Sequence, residues 1–473
     1  MSELSLDQLS NVAWVAERLR TTGLSPEAAE AKARMFARSA AELARGNSRN
    51  AETVSAVACY VPGRIEILGK HTDYAGGRSL LAAAERGFCA VAVRTDAAEV
   101  EMVDVAWSER VRFALTAELT PTVGHWSNYP MTAVRRLVRN FPRSLRGARI
   151  AFASDLPSAA GMSSSSVMIV MTFALLADLN RLWQHETYQA EIQRVEDLAG
   201  YLGTIENGQT FGRLEGDRGV GTFGGSEDHT AMLCARAGQL VQYAYCPVRF
   251  ERSVQMPPDY TFAIASSGVA AEKTGAAMEK YNRASRLAAA AAELWRRATG
   301  RDDPHLAAAI RSAPTAPERI RDVLRQAAAG EFSSQQLVDR FEHFLAESEQ
   351  IIPAVPDRLD ESNLKRFGEL VDRSQNLASR LLGNQVAQTE FLAASARRLG
   401  AAAASAFGAG FGGSVWALIR RNDRERWIEQ WREAYQSRFP QEAERSTFFA
   451  TEAGPAACSL HEHSVLDLLR QKA

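Results

Sequence analysis

The sequence predicts an α+β protein of two domains, and its length, its strand-like segments and its long helical stretches all point that way. A chain of 473 residues with 46% hydrophobic and 23% charged side chains is globular, and it is long for one hydrophobic core. Valine-rich alternation predicts strands at Val54–Val61 and Cys89–Arg94, whereas residues 300–400 are mostly helical in pattern. We place the domains at residues 51–255 and 256–473, after a helical extension at residues 1–50.

That extension is predicted to be peripheral. Ser25 can cap a helix whose first position is Pro26, a position that tolerates proline, and Gly46 can end it. The alanines of this helix alternate with charged residues, so one face is expected to be solvated: Glu30, Lys32, Arg34 and Arg38.

The remaining elements follow in order. Residues 63–77, a polar stretch with four glycines, are predicted as a loop between the first two strands. A strand at Ala148–Ala153 then leads through small residues into a buried helix from about Ser165 to Leu182. Further strands are expected at Tyr260–Ala265, Ser414–Ile419 and Ser446–Ala450, and further helices at Ala276–Arg297 and Asp423–Arg438.

Charge and composition narrow the class of function. The net charge is −1, from 55 basic and 56 acidic residues, which leaves no electrostatic footprint for nucleic acid or an anionic membrane. The five cysteines and eight histidines form no CxxC, HExxH or clustered motif, so neither a zinc site nor a disulfide framework is predicted. Without a signal peptide or an apolar run long enough to span a bilayer, a soluble cytoplasmic protein with a small-molecule partner is expected.

The strongest motif is SDLPSAAGMSSSSV at residues 154–167. Small residues allow the backbone to approach a ligand closely, and the following helix turns its free N–H groups and its positive dipole end toward that ligand. These features describe a phosphate cradle, although no GK[ST] follows the glycine as in a Walker A motif. Serine hydroxyls can also ligate Mg²⁺. On this motif alone, a serine-rich helix cap is an equal alternative.

Two further motifs contain glycines. Residues 62–77, PGRIEILGKHTDYAGG, offer many donors and acceptors for a polyhydroxylated ligand, although a solvated turn would have a similar composition. Residues 408–413, GAGFGG, lie between a predicted helix and a strand, and alone they would indicate only a tight turn.

Together, the three motifs in this order resemble those of the GHMP kinases, and within them those of the galactokinases. GRIEILGKHTDYAGG is similar to the galactose-binding signature, LPSAAGMSSSS to the nucleotide motif, and GAGFGG to the third motif. Shorter matches occur at HWSNYP, TIENG and EKYNRASR, and the resemblance extends from about Val61 to Ala453.

The resemblance implies a role for each matching residue. Asp228 would be the catalytic base and Arg64 its neighbour, holding it ionised and stabilising charge in the transition state. Ser165 and Glu206 would ligate Mg²⁺. ATP would be held by Gly161, Ser163, Ser164, Ser165 and Trp126. The sugar would be contacted by Lys70, His71, Asp73, Gly225 and Tyr281.

The implied fold has an N-terminal α/β domain like domain 2 of ribosomal protein S5 and a ferredoxin-like C-terminal domain, with the active site between them. The implied reaction is Mg²⁺- and ATP-dependent phosphorylation of an anomeric hydroxyl, from galactose to galactose 1-phosphate. Two alternatives stay open: a kinase for a uronic acid (galacturonate or glucuronate) or a pentose, and a catalytically silent sugar sensor. The oligomeric state, monomer or dimer, is also open.

Several positions depart from the family pattern. Glu66 and Lys70 stand where galactokinases have Asn and Glu, and Ala159, Ser166 and His229 also differ. An ammonium group has three donors and no acceptor. Lys70 could therefore donate to a sugar oxygen, meet a uronate carboxylate, or pair with Glu66 outside the pocket. Asp228 could alternatively cap a helix that begins near His229. The 21 residues between Glu206 and Asp228 could form a lid or a pocket wall.

Overall fold

The computed structural model describes residues 4–45, 54–122, 124–142, 144–158, 160–270, 275–328 and 330–470. Two β-sheets carry helices on their faces, which confirms the prediction of a two-domain α+β fold. Gly46 and Ala159 lie outside the described residues. Among the described residues, no helix is both long and apolar enough to cross a membrane.

The first sheet contains nine strands within the described part of the chain. They are β1 (Leu4–Ser5), β2 (Ser55–Leu68), β3 (Arg78–Arg94), β4 (Glu99–Asp104), β5 (Glu109–Ala114), β6 (Ala148–Ser154), β7 (Gln239–Ala244), β8 (Arg249–Gln255) and β13 (Cys458–Ser459). The main path runs β1-β2-β3-β6-β4-β5, with β13 on β2, β7 on β3, and β8 on β7. Only β4 and β6 pair in parallel among these described strands; their neighbours pair antiparallel.

The second sheet is antiparallel and has four strands in the order β10-β11-β9-β12. They are β9 (Tyr260–Ser266), β10 (Ala403–Phe407), β11 (Ser414–Arg420) and β12 (Thr447–Thr451). The proposed domain boundary near residue 255 falls between β8 of the first sheet and β9 of the second. After β12 the chain returns to the first sheet, because β13 pairs with β2.

Helices cover both sheets. The first half of the chain contributes α1 (Leu6–Ser10), α2 (Val12–Arg20), α3 (Pro26–Arg45), α4 (Asn128–Asn140), α5 (Ser164–Asn180), α6 (Glu186–Glu191), α7 (Val195–Asn207) and α8 (Glu227–Cys234). The second half contributes α9 (Gly275–Thr299), α10 (Leu306–Arg311), α11 (Ala316–Arg325), α12 (Ser334–Phe344), α13 (Leu364–Leu377), α14 (Ala387–Arg398), α15 (Arg424–Arg438) and α16 (Val465–Arg470). A π-helical segment, Leu345–Ile351, continues α12.

The N-terminal helices are less peripheral than predicted. Pro26 begins α3 and Ser25 Oγ accepts a hydrogen bond from the Ala28 N–H, as expected. However, α1 to α3 bury their apolar residues against one face of the first sheet. Lys32, predicted to be solvated, is buried and forms an ion pair with Asp155, because helix α3 turns this residue toward the sheet. On the other face, α5 and α8 pack against β2 and β3.

The second correction concerns residues 62–68, which are the end of strand β2 and not a loop. Side chains alternate between the faces of a strand, so Arg64 and Glu66 share one face, while Ile65 and Ile67 are buried in the core. Bulges flank this pair of polar residues, and the ladder to β3 shifts register before Arg64 and after Glu66. The alternation R-I-E-I was the sequence signal for this strand.

Candidate active site

The nucleotide motif and the GAGFGG motif lie against each other. A Cβ on Gly408, whose φ is +88°, would stand 2.8 Å from the carbonyl oxygen of Gly161. Nearby, Ser414 Oγ donates to the carbonyl oxygen of Ala160 at 2.5 Å. The close approach of the two backbones explains why glycine occupies position 408.

Strand β2 brings the motif of residues 62–77 to the same place. The backbone N–H of Arg64 donates to the carbonyl oxygen of Met162 at 3.4 Å, which joins β2 to the nucleotide loop. The Gly408 N–H donates to Glu66 Oε2 at 3.4 Å. Motifs separated by more than two hundred residues in the chain therefore form one site.

Asp228 lies in the first turn of α8, next to Arg64. Arg64 Nε donates to Asp228 Oδ1 at 2.7 Å, and the Arg64 side chain is 3% exposed. The residue preceding α8 is Ser226, so the alternative that Asp228 caps this helix is wrong. Ser166 Oγ, in the first turn of α5, lies 3.3 Å from Asp228 Oδ2 and donates to Glu206 Oε2 at 2.7 Å.

A small cavity opens at this ion pair. Its lining consists of polar side chains and glycine-rich backbone from all parts of the site: Arg64, Glu66, His71, Asp73, Glu206, Gly224, Gly225, Glu227, Asp228, Tyr281, Gly408 and Ala409. Sequence reasoning had not assigned Glu66 or Glu227 to the site. The strand alternation places Glu66 beside Arg64, and Glu227 precedes the predicted base.

The charges in this cavity influence one another strongly. Burial opposes the charge of Arg64, but the carboxylates of Asp228 and Glu66 raise its pKa, so it stays a cation. Burial, together with the charges of Glu66 and Asp73, raises the pKa of Glu227 well above its usual value. Burial also raises the pKa of Glu66, against the opposing charges of Lys70 and Arg64.

The predicted sugar contacts His71, Asp73, Gly225 and Tyr281 line the cavity together. His71 Nε2 lies 3.1 Å from the carbonyl oxygen of Ala409, which can only accept, so Nε2 carries the proton. Asp73 accepts hydrogen bonds from the N–H groups of Tyr74 and Glu227, at 2.8 and 3.1 Å. A Cβ on Gly225 would stand 2.5 Å from Asp73 Oδ2, so glycine permits this approach.

Lys70 is the predicted sugar contact that the structure does not bring into the cavity. Its side chain is 1% exposed, and Nζ donates to Ser405 Oγ at 2.9 Å and to Ser374 Oγ at 3.4 Å. Ser374 in turn donates to Glu347 Oε1 at 2.9 Å. In the turn after β2, the Gly69 N–H also donates to Glu347 Oε1, so Glu347 contacts both the residue before Lys70 and the Ser374 hydroxyl beside the Lys70 amino group.

The nucleotide loop ends in a backbone arrangement suited to an anion. Ser163, at the start of α5, adopts a φ of +62°, and its buried Oγ has no hydrogen-bond partner in the part of the chain described. Helix α5 then offers the N–H groups of its first turn, which contains Ser164 and Ser165. An unsatisfied buried hydroxyl at a helix N-terminus fits a phosphate group.

Trp126 lies outside the cavity described above. It packs edge-to-face on Phe152 of β6, with ring centroids 5.5 Å apart, just before α4 begins at Asn128. Its assignment to nucleotide binding stays a prediction.

The donor set near Glu206 suits a metal that is bound partly by phosphate. Among the described residues, no three His, Cys, Asp or Glu side chains are grouped to hold an ion by themselves. Glu206 and Asp228 instead both approach the Ser166 hydroxyl. Mg²⁺ in phosphoryl-transfer sites typically takes one or two carboxylates and completes its shell with phosphate oxygens and water.

The insert between Glu206 and Asp228 forms a wall of a second cavity. This neighbouring cavity has a volume of about 450 Å³ and lies between α7, the insert and α9. Phe211 and Phe223 come from the insert, and the wall that the two cavities share includes Asp73, Gly224 and Gly225. Of the two roles considered, pocket wall describes the insert.

Comparisons with known proteins agree with this arrangement. Residues 50–94 match the galactokinase galactose-binding signature, residues 128–211 the N-terminal domain of GHMP kinases, and residues 354–437 their C-terminal domain. The chain is 25% identical to a galactokinase of Exiguobacterium sibiricum over 86% of this chain and 94% of that protein. A galactokinase of Roseiflexus sp. is 26% identical, over 79% and 86% of the two chains.

The fold also has a solved counterpart. The crystal structure of Lactococcus lactis galactokinase complexed with galactose superimposes with a TM-score of 0.69 at 20% identity, covering 88% of this chain and 98% of that one. Matches to a sugar-binding signature and to both kinase domains occur in the expected order along one chain. The protein is therefore a galactokinase-like member of the GHMP kinases, a sugar kinase that uses ATP as its phosphoryl donor.

Proposed function

We propose that the protein transfers the γ-phosphoryl group of ATP to the anomeric hydroxyl of galactose, with Asp228 as general base. The observation that carries this proposal is the partly buried contact of 2.7 Å between Arg64 Nε and Asp228 Oδ1 in a polar cavity. Asp228 would accept the proton of the attacking hydroxyl. Arg64 would hold Asp228 ionised and stabilise the negative charge that develops on the phosphoryl group.

The nucleotide would bind with its phosphates at the start of α5. Gly161, Ser163 and the first-turn serines Ser164 and Ser165 would contact the phosphate oxygens. Mg²⁺, held by Glu206 and a first-turn serine, would neutralise the triphosphate. Ser165 is the serine that the family resemblance favours, whereas Ser166 is the one that contacts Glu206.

We favour galactose over a uronate as the substrate because five of the twelve residues that line the cavity are carboxylic acids. Glu66, Asp73, Glu206, Glu227 and Asp228 face it, whereas Arg64 is already paired with Asp228. Among the residues that the structure describes, no unpaired cation lines this cavity, since Lys70 donates to serine hydroxyls elsewhere and Arg64 is paired with Asp228. A neutral polyhydroxylated sugar can donate to these carboxylates instead. The relatives that cover most of this chain are also galactokinases.

The test is to measure ATP consumption by the purified protein with galactose, galacturonate, glucuronate and arabinose. We expect galactose to be the best substrate and to yield the 1-phosphate, identified by phosphorus NMR. Asp228→Asn should lower kcat on the order of a hundredfold to ten-thousandfold and leave ATP affinity within about threefold of wild type.

Two results would contradict the proposal. A preference for a uronate would contradict the assignment of galactose as the substrate. Absence of sugar-dependent ATP consumption, with sugar binding retained, would instead favour the silent-sensor alternative.

Since the protein uses ATP, we further propose a cytoplasmic location.

A further inference from the structure

Glu66 presents a buried carboxylate to the cavity, next to the carboxyl group of Glu227. The side chain is buried, lines the cavity, and shares the face of β2 that carries Arg64. Oε2 accepts from the Gly408 N–H and lies 3.9 Å from Arg64 Nη1. Oε1 is also buried, and the one potential donor given for the Glu66 carboxylate besides Gly408 and Arg64, among the described residues, is the neighbouring carboxyl group of Glu227. A buried carboxylate that lines a cavity can accept a further hydrogen bond from a bound ligand.

Lys70 cannot fill that role, because its amino group is held on the far side of the turn. Nζ donates to Ser405 and Ser374, which belong to β10 and α13 of the second half of the chain. It is nevertheless near enough to act electrostatically on Glu66, where its positive charge opposes the effect of burial on the pKa. The Lys70 ammonium group therefore does not enter the cavity.

We propose that Glu66 is the specificity-determining residue that accepts a hydrogen bond from one sugar hydroxyl through its carboxylate. In the resembling signature the acidic residue stands at position 70, in the turn, whereas in this chain it stands at position 66, on the strand, and position 70 is a lysine. This inference rests on the proposed function, because it assumes that a sugar occupies the cavity.

The experiment compares the binding of galactose and of each of its monodeoxy analogues by calorimetry without ATP, so that turnover is not needed. In the wild type, loss of the hydroxyl that Glu66 reads should weaken binding on the order of ten- to hundredfold, as expected for a hydrogen bond to a charged group. For Glu66→Gln and Glu66→Ala, the analogue that lacks this hydroxyl should have a dissociation constant within about threefold of that of galactose. The other analogues should be weakened by the same factor as in the wild type.

Glu101→Gln is the matched control. Glu101 is a buried carboxylate of β4 in the same sheet, bonded to Arg110 and Arg112 and outside the cavity. It should keep the wild-type pattern across the analogues. Thermal unfolding of each variant verifies that it is folded, and Glu66→Gln serves if Glu66→Ala is not.

The outcomes separate this inference from the proposed function. If both Glu66 variants retain the full wild-type discrimination, Glu66 does not read the sugar, while galactose phosphorylation can still stand. If the wild type binds none of the sugars, both proposals are overturned.

Discussion

At the scale of single residues, the cavity concentrates more carboxyl groups than its cations can balance. Burial first, and then the charges of Glu66 and Asp73, raise the pKa of Glu227 and so favour its neutral form. Ser79 Oγ also contacts Glu227, at 2.6 Å from Oε2. A carboxyl group whose folded pKa lies above its unfolded pKa stabilises the fold only when it is protonated.

The first prediction concerns the pH dependence of stability at Glu227. Below the unfolded pKa the group is neutral in both states, and as the pH rises through the raised folded pKa the folded state loses stability. Glu227→Gln mimics the protonated form, so it should raise Tm at pH 8 and raise it less at pH 5. Thermal unfolding at the two pH values measures the difference.

Glu101→Gln serves again as the control, because its shift has the opposite sign. Burial works against the ionised form of Glu101, but hydrogen bonds from Arg112 and Arg110 lower its pKa. Removing that charge should lower Tm at pH 8. Equal Tm differences for Glu227→Gln at both pH values would show that Glu227 is ionised in the folded protein.

The second prediction distinguishes two neighbouring serines as ligands for Mg²⁺. Ser166 contacts Glu206 and Asp228, whereas Ser165 is the serine that the family resemblance implies. Loss of a metal ligand should raise the Mg²⁺ concentration needed for half-maximal activity. We expect the larger rise in Ser165→Ala, because the Ser166 hydroxyl already bonds Glu206.

Each of these two variants is the control for the other, and both are titrated with Mg²⁺ at saturating ATP and sugar. A larger rise of the half-maximal Mg²⁺ concentration in Ser166→Ala would mean that Ser166, and not Ser165, is the ligand. Unchanged titrations in both variants would place the metal elsewhere.

At the scale of secondary-structure elements, the site depends on two loops that pack backbone to backbone. Gly161 and Gly408 belong to the nucleotide motif and the GAGFGG motif, and they approach too closely for a side chain at position 408. The conformation of the nucleotide motif therefore depends partly on the connection between β10 and β11, far along the chain.

The third prediction follows from this packing. Gly408→Ala should raise the KM for ATP at least tenfold, because the new Cβ would displace the Gly161 carbonyl and misplace the loop. Gly400→Ala is the matched control, since Gly400 has a φ of +89° but a Cβ added there would meet no atom within 4 Å. Gly400→Ala imposes the same backbone strain without a contact like that between position 408 and Gly161. Its KM for ATP should therefore stay near that of the wild type.

Steady-state kinetics of both variants, with thermal unfolding to compare their stabilities, provide the measurement. Equal effects on KM in the two variants would mean that backbone strain, and not contact with Gly161, accounts for the loss.

The elements also explain what the sequence could and could not predict. The strands and helices with clear periodicity, such as Ala148–Ser154 and Arg424–Arg438, lie within a residue or two of their predicted ends. Residues 62–68 were mistaken for a loop because Gly63 lies among them, Gly69 follows them, and Arg64 and Glu66 interrupt the apolar residues. Burial of such a strand depends on its neighbours, which composition does not reveal.

At the scale of the whole molecule, residues distant in sequence hold the Lys70 side chain in place. Its partners, Ser374 and Ser405, follow it by about three hundred residues, and Glu347 joins the network through Ser374. No local pattern around position 70 could identify these contacts. By contrast, the contact between Arg64 and Asp228 was expected from the family resemblance, and the two side chains do meet.

The last prediction is that Lys70 contributes to stability and not to the choice of sugar. Lys70→Met would remove the hydrogen bonds that Nζ donates to Ser405 and Ser374, and the loss of a hydrogen bond from a charged group typically costs about 1.5–3 kcal/mol. Chemical denaturation should reveal a decrease of this size, whereas the ratio of kcat/KM for galactose and galacturonate should change less than about threefold. Lys365→Met, at an exposed position of α13, is the control and should alter stability by less than about 0.5 kcal/mol. The reverse pattern, with unchanged stability and a marked shift in favour of galactose, would mean that Lys70 contacts the sugar, because removing a cation that binds a carboxylate selectively weakens the uronate.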